Sequence, residues 1–206
     1  MIIYLINSAE SEFDKKNIIT GSQDVALSEK GKKQAENLGE FFKDKNISMI
    51  FTSELKRSKD TAKIILKYLK KKPKVSKIQN FNERKYGLFE AKRWDVISAF
   101  YKEHLHKSEG KLFKVILEAK GGESWQDLIL RVVEGINDIT EEIDKRKAVL
   151  IIGHLDVNRV ILRYTGNMNE DEMFNIWQTP ACINIIKYEK EEFNIQIVNY
   201  ILSKNR

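Results

Sequence analysis

The chain has 206 residues, a net charge of +6 and one cysteine, Cys182. That length fits a single domain over 1–206 with a substantial core, while no run approaches the ~20 apolar residues a membrane helix needs. A lone thiol excludes an intrachain disulfide, and its apolar neighbours mark it as a buried structural group.

No charged leader or small-residue cleavage site opens the chain, so a cytoplasmic location is expected. The densest basic stretch holds Lys67, Lys70, Lys71, Lys72, Lys74 and Lys77. Nucleic-acid binding calls for basic residues interleaved with exposed aromatics, and only Tyr68 lies inside this stretch. It reads as the solvated end of a helix, where lysines suit the dipole. Neither a nucleic-acid nor a membrane partner is expected.

Met1–Ile6 is an apolar strand candidate that breaks into the polar loop Asn7-Ser8-Ala9-Glu10. Ser28 is placed to cap a helix whose inner stripe is Ala35, Leu38 and Phe42. Ser48–Thr52 reads as a second short strand, and Thr61–Leu69 as a helix with Ile65 and Leu69 on one face. Ser124 opens a long helix with Trp125, Leu128, Val132, Ile136, Ile139 and Ile143 spaced three or four apart, and Asp127 gives it a weak capping-box variant. Ala148–Ile152 is wholly apolar, as a strand covered on both faces should be. Asn184–Tyr188 and Phe193–Ile201 alternate around Glu189–Glu192 and read as a hairpin. Trp125 and Trp177 read as core or interface aromatics.

The segment at about 93–120 breaks the alternation. It reads as an amphipathic helical insertion over a site mouth. His104 and His106 lie there without the carboxylates or thiols of a metal site, so no metal is expected.

Strands alternating with helices imply an α/β fold: helices packed on both faces of a mostly parallel central sheet, a three-layer α/β/α sandwich. In such sheets ligands bind beyond the carboxyl ends of the strands. Three unusual segments fall there: Asn7–Ser11, Ser53–Arg57 and Gly153-His154. Their convergence predicts one site built from Asn7, Ser8, Glu10, Arg57 and His154.

Five motifs follow one another across the chain. They are Asn17, Gly21, Asp24, Leu27-Ser28, Gly31 and Gln34-Ala35; Ser53 through Arg57 to Thr61-Ala62; Glu83, Gly87 and Phe89-Glu90; Gly122-Glu123-Ser124 with Arg131; and Ile151-Ile152-Gly153-His154. In this order they resemble the histidine phosphatase superfamily, the phosphoglycerate-mutase-like group. The resemblance implies that Arg57 grips phosphate, Glu83 is the general acid and His154 completes the pocket. It places Asn17 and Gly21 in a ligand-binding loop and calls for no cofactor.

The same resemblance puts a loop of Arg-His-Gly-Glu after the first strand, its histidine being the phosphate-accepting nucleophile. Here those positions are Asn7, Ser8, Ala9 and Glu10. Asparagine removes a charge and a bidentate fork. Serine attacks little without an adjacent base.

Three readings stay open. The first is a nucleophile-free member that binds a phosphorylated or otherwise anionic small molecule. The second is an enzyme with redeployed chemistry on Ser8, His154 and Glu83, in the manner of ester hydrolysis. The third is a phosphatase or mutase with an unrecognised nucleophile. A homodimer through the terminal hairpin is also left open.

Overall fold

A computed structural model of the chain describes residues 1–97, 121–144 and 146–202. Its strands are β1 (Ile2–Asn7), β2 (Ile47–Thr52), β3 (Lys74–Lys77), β4 (Ala148–Gly153), β5 (Ile183–Glu189) and β6 (Glu192–Tyr200). Its helices are α1 (Glu12–Lys15), α2 (Glu29–Phe42), α3 (Lys56–Tyr68), α4 (Trp125–Glu142), α5 (Leu155–Gly166) and α6 (Glu170–Phe174), with 3-10 turns at Gln79–Phe81 and Gly87–Phe89.

The strands form one sheet in the order β3-β2-β4-β1-β5-β6. The first four run parallel, and β5 and β6 are antiparallel additions. Side chains of a strand point alternately to opposite faces, and the core follows that period. Ile3, Leu5, Val149, Ile151 and Phe51 meet Leu128, Val132 and Ile136 of α4 and Val157, Val160 and Ile161 of α5. Ile6, Ile50, Leu150 and Ile152 meet Ala35, Leu38 and Phe42 of α2 and Ala62 and Ile65 of α3. The result is the three-layer α/β/α sandwich, with the expected stripe of α2 against the sheet.

Caps form at the expected serines. Ser28 accepts from the Gly31 N–H, and Ser124 accepts from the Asp127 N–H. The hairpin turns through Lys190 and Glu191 at φ 52° and 64°, the positive pair a two-residue turn requires.

Several elements differ from the sequence reading. Helix α3 begins at Lys56 rather than Thr61, so Arg57 sits in its first turn. Its opening is polar because Ser58 and Thr61 bury their hydroxyls by donating to the Ile152 and Arg57 carbonyls. The lysine-rich stretch is a helix end followed by β3, a short edge strand on β2. Lysines at an edge discourage pairing with another chain. Ile143 is the C-cap of α4 rather than a further turn. Trp125 is in the core, edge-to-face on Phe174 at 5.0 Å. Trp177 is not, being 78% exposed.

Of the insertion expected at about 93–120, residues 98–120 lie outside the described residues, His104 and His106 among them. No helix among the described residues is long and apolar enough to cross a membrane.

Candidate functional site

The carboxyl ends of β1, β2 and β4 lie side by side, with Asn7 opposite Gly153 and Thr52 opposite Ile152. Beyond them opens a cavity of about 210 Å³. Its lining has polar members, Asn7, Ser8, Asp14, Thr20, Arg57, Glu83, His154 and Gln178, and largely apolar ones, Ile18, Ile19, Tyr86, Trp94, Leu155 and Pro180, together with Gly21.

Of the five residues expected to converge, Asn7, Ser8, Arg57 and His154 do so. Glu10 does not. Its carboxylate accepts from the Ser28 hydroxyl at 2.7 Å and from Lys30 at 2.5 Å, which ties the loop to the start of α2 instead of facing the cavity. Asn17 also stays outside the lining. It holds a left-handed turn at φ 56°, and its carbonyl accepts from the Trp94 N–H. Gly21 lines the cavity.

The backbone of the loop after β1 is fully engaged. The N–H groups of Asn7, Ser8 and Ala9 donate to the Cys182 carbonyl, the Gly153 carbonyl and Thr61 Oγ1. They are therefore not the anion cradle that helix- and strand-end amides often make. Ala9 keeps an ordinary negative φ and packs into the core, so its Cβ is accommodated without backbone strain.

His154 is the N-cap residue of α5 and is 2% exposed. Burial holds its imidazole well below its ordinary value, with Arg57 and Arg131 adding to the effect. Its Nε2 is 2.8 Å from Ser53 Oγ and its Nδ1 is 3.4 Å from Ser8 Oγ. Ser53 Oγ already accepts from the Leu55 N–H, and its own hydrogen finds no other acceptor among the described residues. Satisfying that buried hydroxyl makes it donate to Nε2. The neutral ring then carries its proton on Nδ1, and Nδ1 donates toward Ser8. This tautomer is assigned by counting donors and acceptors.

Arg57 is 4% exposed. Its two terminal nitrogens donate to the Gly21 and Gln23 carbonyls at 2.8 and 2.9 Å. The loop carrying those carbonyls is held by Glu90, which accepts from the Ser22 N–H and hydroxyl, the Gln23 amide and the Tyr86 N–H. Gly21 sits at φ +50°, and a Cβ there would lie 2.4 Å from the Glu90 carboxylate.

Glu83 is buried and accepts from the Arg84 N–H at 2.8 Å and the Asp156 N–H at 3.3 Å. Burial raises its carboxyl to about 7, and neighbouring Asp156 pushes the same way. It makes no bond to His154. Asp156 in turn accepts from Arg84 at 3.0 Å, Tyr86 at 2.6 Å and Arg159 at 3.2 Å. Arg84 lies between the Tyr86 and Trp125 rings, 4.4 and 4.7 Å from their centroids. Glu123 and Arg131 form a two-bond pair behind the site.

Ser53, Gln178, Tyr86, Trp94 and Asp14 were not among the residues expected at the site. Ser53 had a signal, since it directly follows a strand. Gln178 had none: it arrives on the segment before β5, where no periodicity marks it. Among the described residues, no group of three or more His, Cys, Asp or Glu is arranged to hold a metal ion.

A family model described as histidine phosphatase superfamily (branch 1) matches residues 3–201. The 2,3-bisphosphoglycerate-dependent phosphoglycerate mutase of Borreliella afzelii is 29% identical, covering 97% of this chain and 91% of its own. The alpha-ribazole phosphatase of Shigella flexneri superposes with a TM-score of 0.82 at 21% identity, covering 100% of both chains. The phosphoglycerate mutase of Bacillus anthracis superposes with a TM-score of 0.82 at 23% identity, covering 97% of this chain and 93% of its own. With its sheet order, its strand-end pocket and a family match over nearly its whole length, the chain belongs to the histidine phosphatase superfamily, branch 1.

Proposed function

We propose that this protein is a nucleophile-free member of its superfamily that binds an anionic small molecule and has given up phosphohistidine chemistry. One observation carries the reading. Ser8 stands at the end of β1, where the family resemblance places the nucleophilic histidine, and among the described residues the one imidazole beside it, His154, approaches through Nδ1, the nitrogen to which the count of donors and acceptors assigns the proton. A phosphohistidine mechanism needs an unprotonated ring nitrogen aimed at phosphorus. It also needs cations on the non-bridging oxygens. Among the described residues Arg57 is the one guanidinium lining the cavity, and Asn7 stands where the family resemblance implies another. An acidic ligand is in keeping with the Borreliella afzelii relative, whose name is that of a phosphoglycerate mutase.

The 3.4 Å approach of Ser8 to His154 favours a second reading, a serine nucleophile with His154 as base. Two features weigh against it. The base must accept from Ser8, yet Ser53 leaves the proton on Nδ1. The acid that should orient the imidazole is absent, because Glu83 is bonded to the Arg84 and Asp156 amides.

The test is hydrolysis of an aryl phosphate and an aryl ester by the natural chain, by Ser8→Ala, and by Asn7→Arg with Ser8→His. The natural chain is expected to turn over neither. The double variant is expected to acquire aryl phosphatase activity that neither single change confers. Ester turnover by the natural chain that disappears in Ser8→Ala would replace this reading with the serine enzyme.

A further inference from the structure

Among the described residues, the charge facing the cavity is small and divided. Arg57 supplies one positive charge, and two of its five N–H groups are already given to the Gly21 and Gln23 carbonyls. Asp14 and Glu83, both lining the cavity, are acidic groups near that guanidinium. His154 is neutral, held so by its burial. The amides of the loop after β1 donate elsewhere. A phosphate dianion brings two charges and three oxygens into such a site. Among the described residues it would meet one cation and two carboxyl groups, and a buried charge left without a partner is strongly disfavoured.

A carboxylate fits better. It carries a single charge, and its two oxygens can accept from N–H groups that Arg57 does not give to the Gly21 and Gln23 carbonyls. Asn7 and Ser8 are neutral groups lining the same cavity, able to take part in hydrogen bonds to such a ligand, whereas both amide hydrogens of Gln178 are already given to the Trp177 carbonyl and Asn184. Ile18, Ile19, Tyr86 and Trp94, which line the same cavity, would cover an apolar body. Tyr86 and Ile19 are themselves packed in a small cluster with Ile97, and Trp94 packs against it, so this apolar lining is built rather than incidental.

We propose that the cavity is a site for a small monocarboxylate with an apolar or aromatic body, held by Arg57 at its charged end and by Ile18, Tyr86 and Trp94 along its side. The proposal rests on the anion-binding reading above and narrows it. It also implies a change of ligand class within the scaffold. Exchanging the guanidinium implied at position 7 for an amide removes the second charge a phosphate dianion needs, and leaves a site matched to a single one.

Calorimetric titration of the full chain at pH 8 tests this with three ligands of like body: benzoate, phenyl phosphate and benzamide. At that pH phenyl phosphate is a dianion, its second ionisation lying near about 6. Benzoate is expected to bind at least about tenfold more tightly than either of the others, a difference of one decade in Kd. Asn7→Arg restores a second cation and is expected to reverse the order, with phenyl phosphate gaining at least about tenfold. Arg57→Gln is expected to abolish the preference for benzoate over benzamide.

Tighter binding of phenyl phosphate than benzoate by the natural chain would overturn the carboxylate assignment and leave the anion-binding reading standing. Binding of benzamide as tight as benzoate would overturn both, since the charge would then play no part. No binding of any of the three would overturn the monocarboxylate site. In that case titration of the Asn7→Arg with Ser8→His variant by phenyl phosphate would report separately whether the scaffold still takes an anion.

Discussion

A buried imidazole flanked by two hydroxyls has one proton to place, and at His154 the neighbours place it. Ser53 accepts from the Leu55 N–H, and when its own hydrogen goes to Nε2 the ring proton stays on Nδ1, toward Ser8. Ser53→Ala should therefore cost about 1–3 kcal/mol by leaving a buried acceptor unpaired, measured by urea unfolding; a neutral result would mean the ring is satisfied some other way. Glu83 sets a second expectation. Its carboxyl sits at about 7 in the folded chain against an ordinary 4.5, so the folded state binds that proton more tightly than the unfolded state. The stability it contributes is present in full below about 4.5 and fades as pH rises through 7. Glu83→Gln has no charge to bury. Relative to the natural chain it should gain about 2–3 kcal/mol on going from pH 5 to pH 8, and an unfolding series that runs parallel at both pH values would refute this. His154 acts in the opposite sense. Its value is depressed, so its contribution is present above about 6.5 and lost as pH falls below that. His154→Gln should lose less stability than the natural chain between pH 6.5 and 5.

At the scale of elements, the loop after β1 is positioned by helices that touch it through small residues and caps. Helix α2 comes so close that a Cβ on Gly31 would lie 2.0 Å from the Glu10 carbonyl oxygen. That oxygen also accepts from the Ser28 N–H, and Glu10 accepts from the Ser28 hydroxyl. Gly31→Ala must push α2 or the loop aside. A cost of about 1–3 kcal/mol or more is expected from overpacking, together with weaker ligand binding because Ser8 and Asn7 move with the loop. Unchanged unfolding and unchanged binding would mean the approach is softer than the geometry implies. The motif of Gly122-Glu123-Ser124 with Arg131 acts likewise. Ser124 caps α4, while the Glu123–Arg131 pair also reaches the Asn80 carbonyl. These residues brace the segment that carries Glu83 and do not line the cavity.

Across the whole molecule, stability should be layered outward from β4. That strand is covered by apolar helices on both faces and lies between β1 and β2, with Val149, Leu150, Ile151 and Ile152 wholly buried. Amide exchange at Leu150 and Ile152 should report global unfolding. Amides of β6, a bulged strand at the sheet edge, should exchange through local opening. Comparable protection in the two strands would contradict the layering. Protection that fades near β4 first would place the weak point at the site itself.

The alternation of strand and helix, the α2 and α4 stripes, the serine caps and the wholly apolar β4 were all legible in the sequence, because each depends on periodicity or on neighbours a few residues away. From these the sandwich and the gathering of Asn7, Ser8, Arg57 and His154 at strand ends followed, since a parallel sheet presents its carboxyl ends together. The early start of α3 was hidden because its first turn is polar and is buried through bonds to the Ile152 and Arg57 carbonyls. β3 was hidden because an edge strand of lysines looks like any solvated segment. Glu10 and Asn17 sit beside the site in sequence, yet they serve the loop's own bonds; which way a side chain turns is settled by partners such as Ser28, which no spacing reveals. The sequence by itself therefore determined the scaffold and the polar pair Asn7-Ser8 where the first strand ends. Only the tertiary structure decided the two hydroxyls that flank His154, the carboxyl groups gathered near Arg57 and the partners of the Asn7, Ser8 and Ala9 amides, because each depends on groups that lie far apart in the chain and meet in the fold.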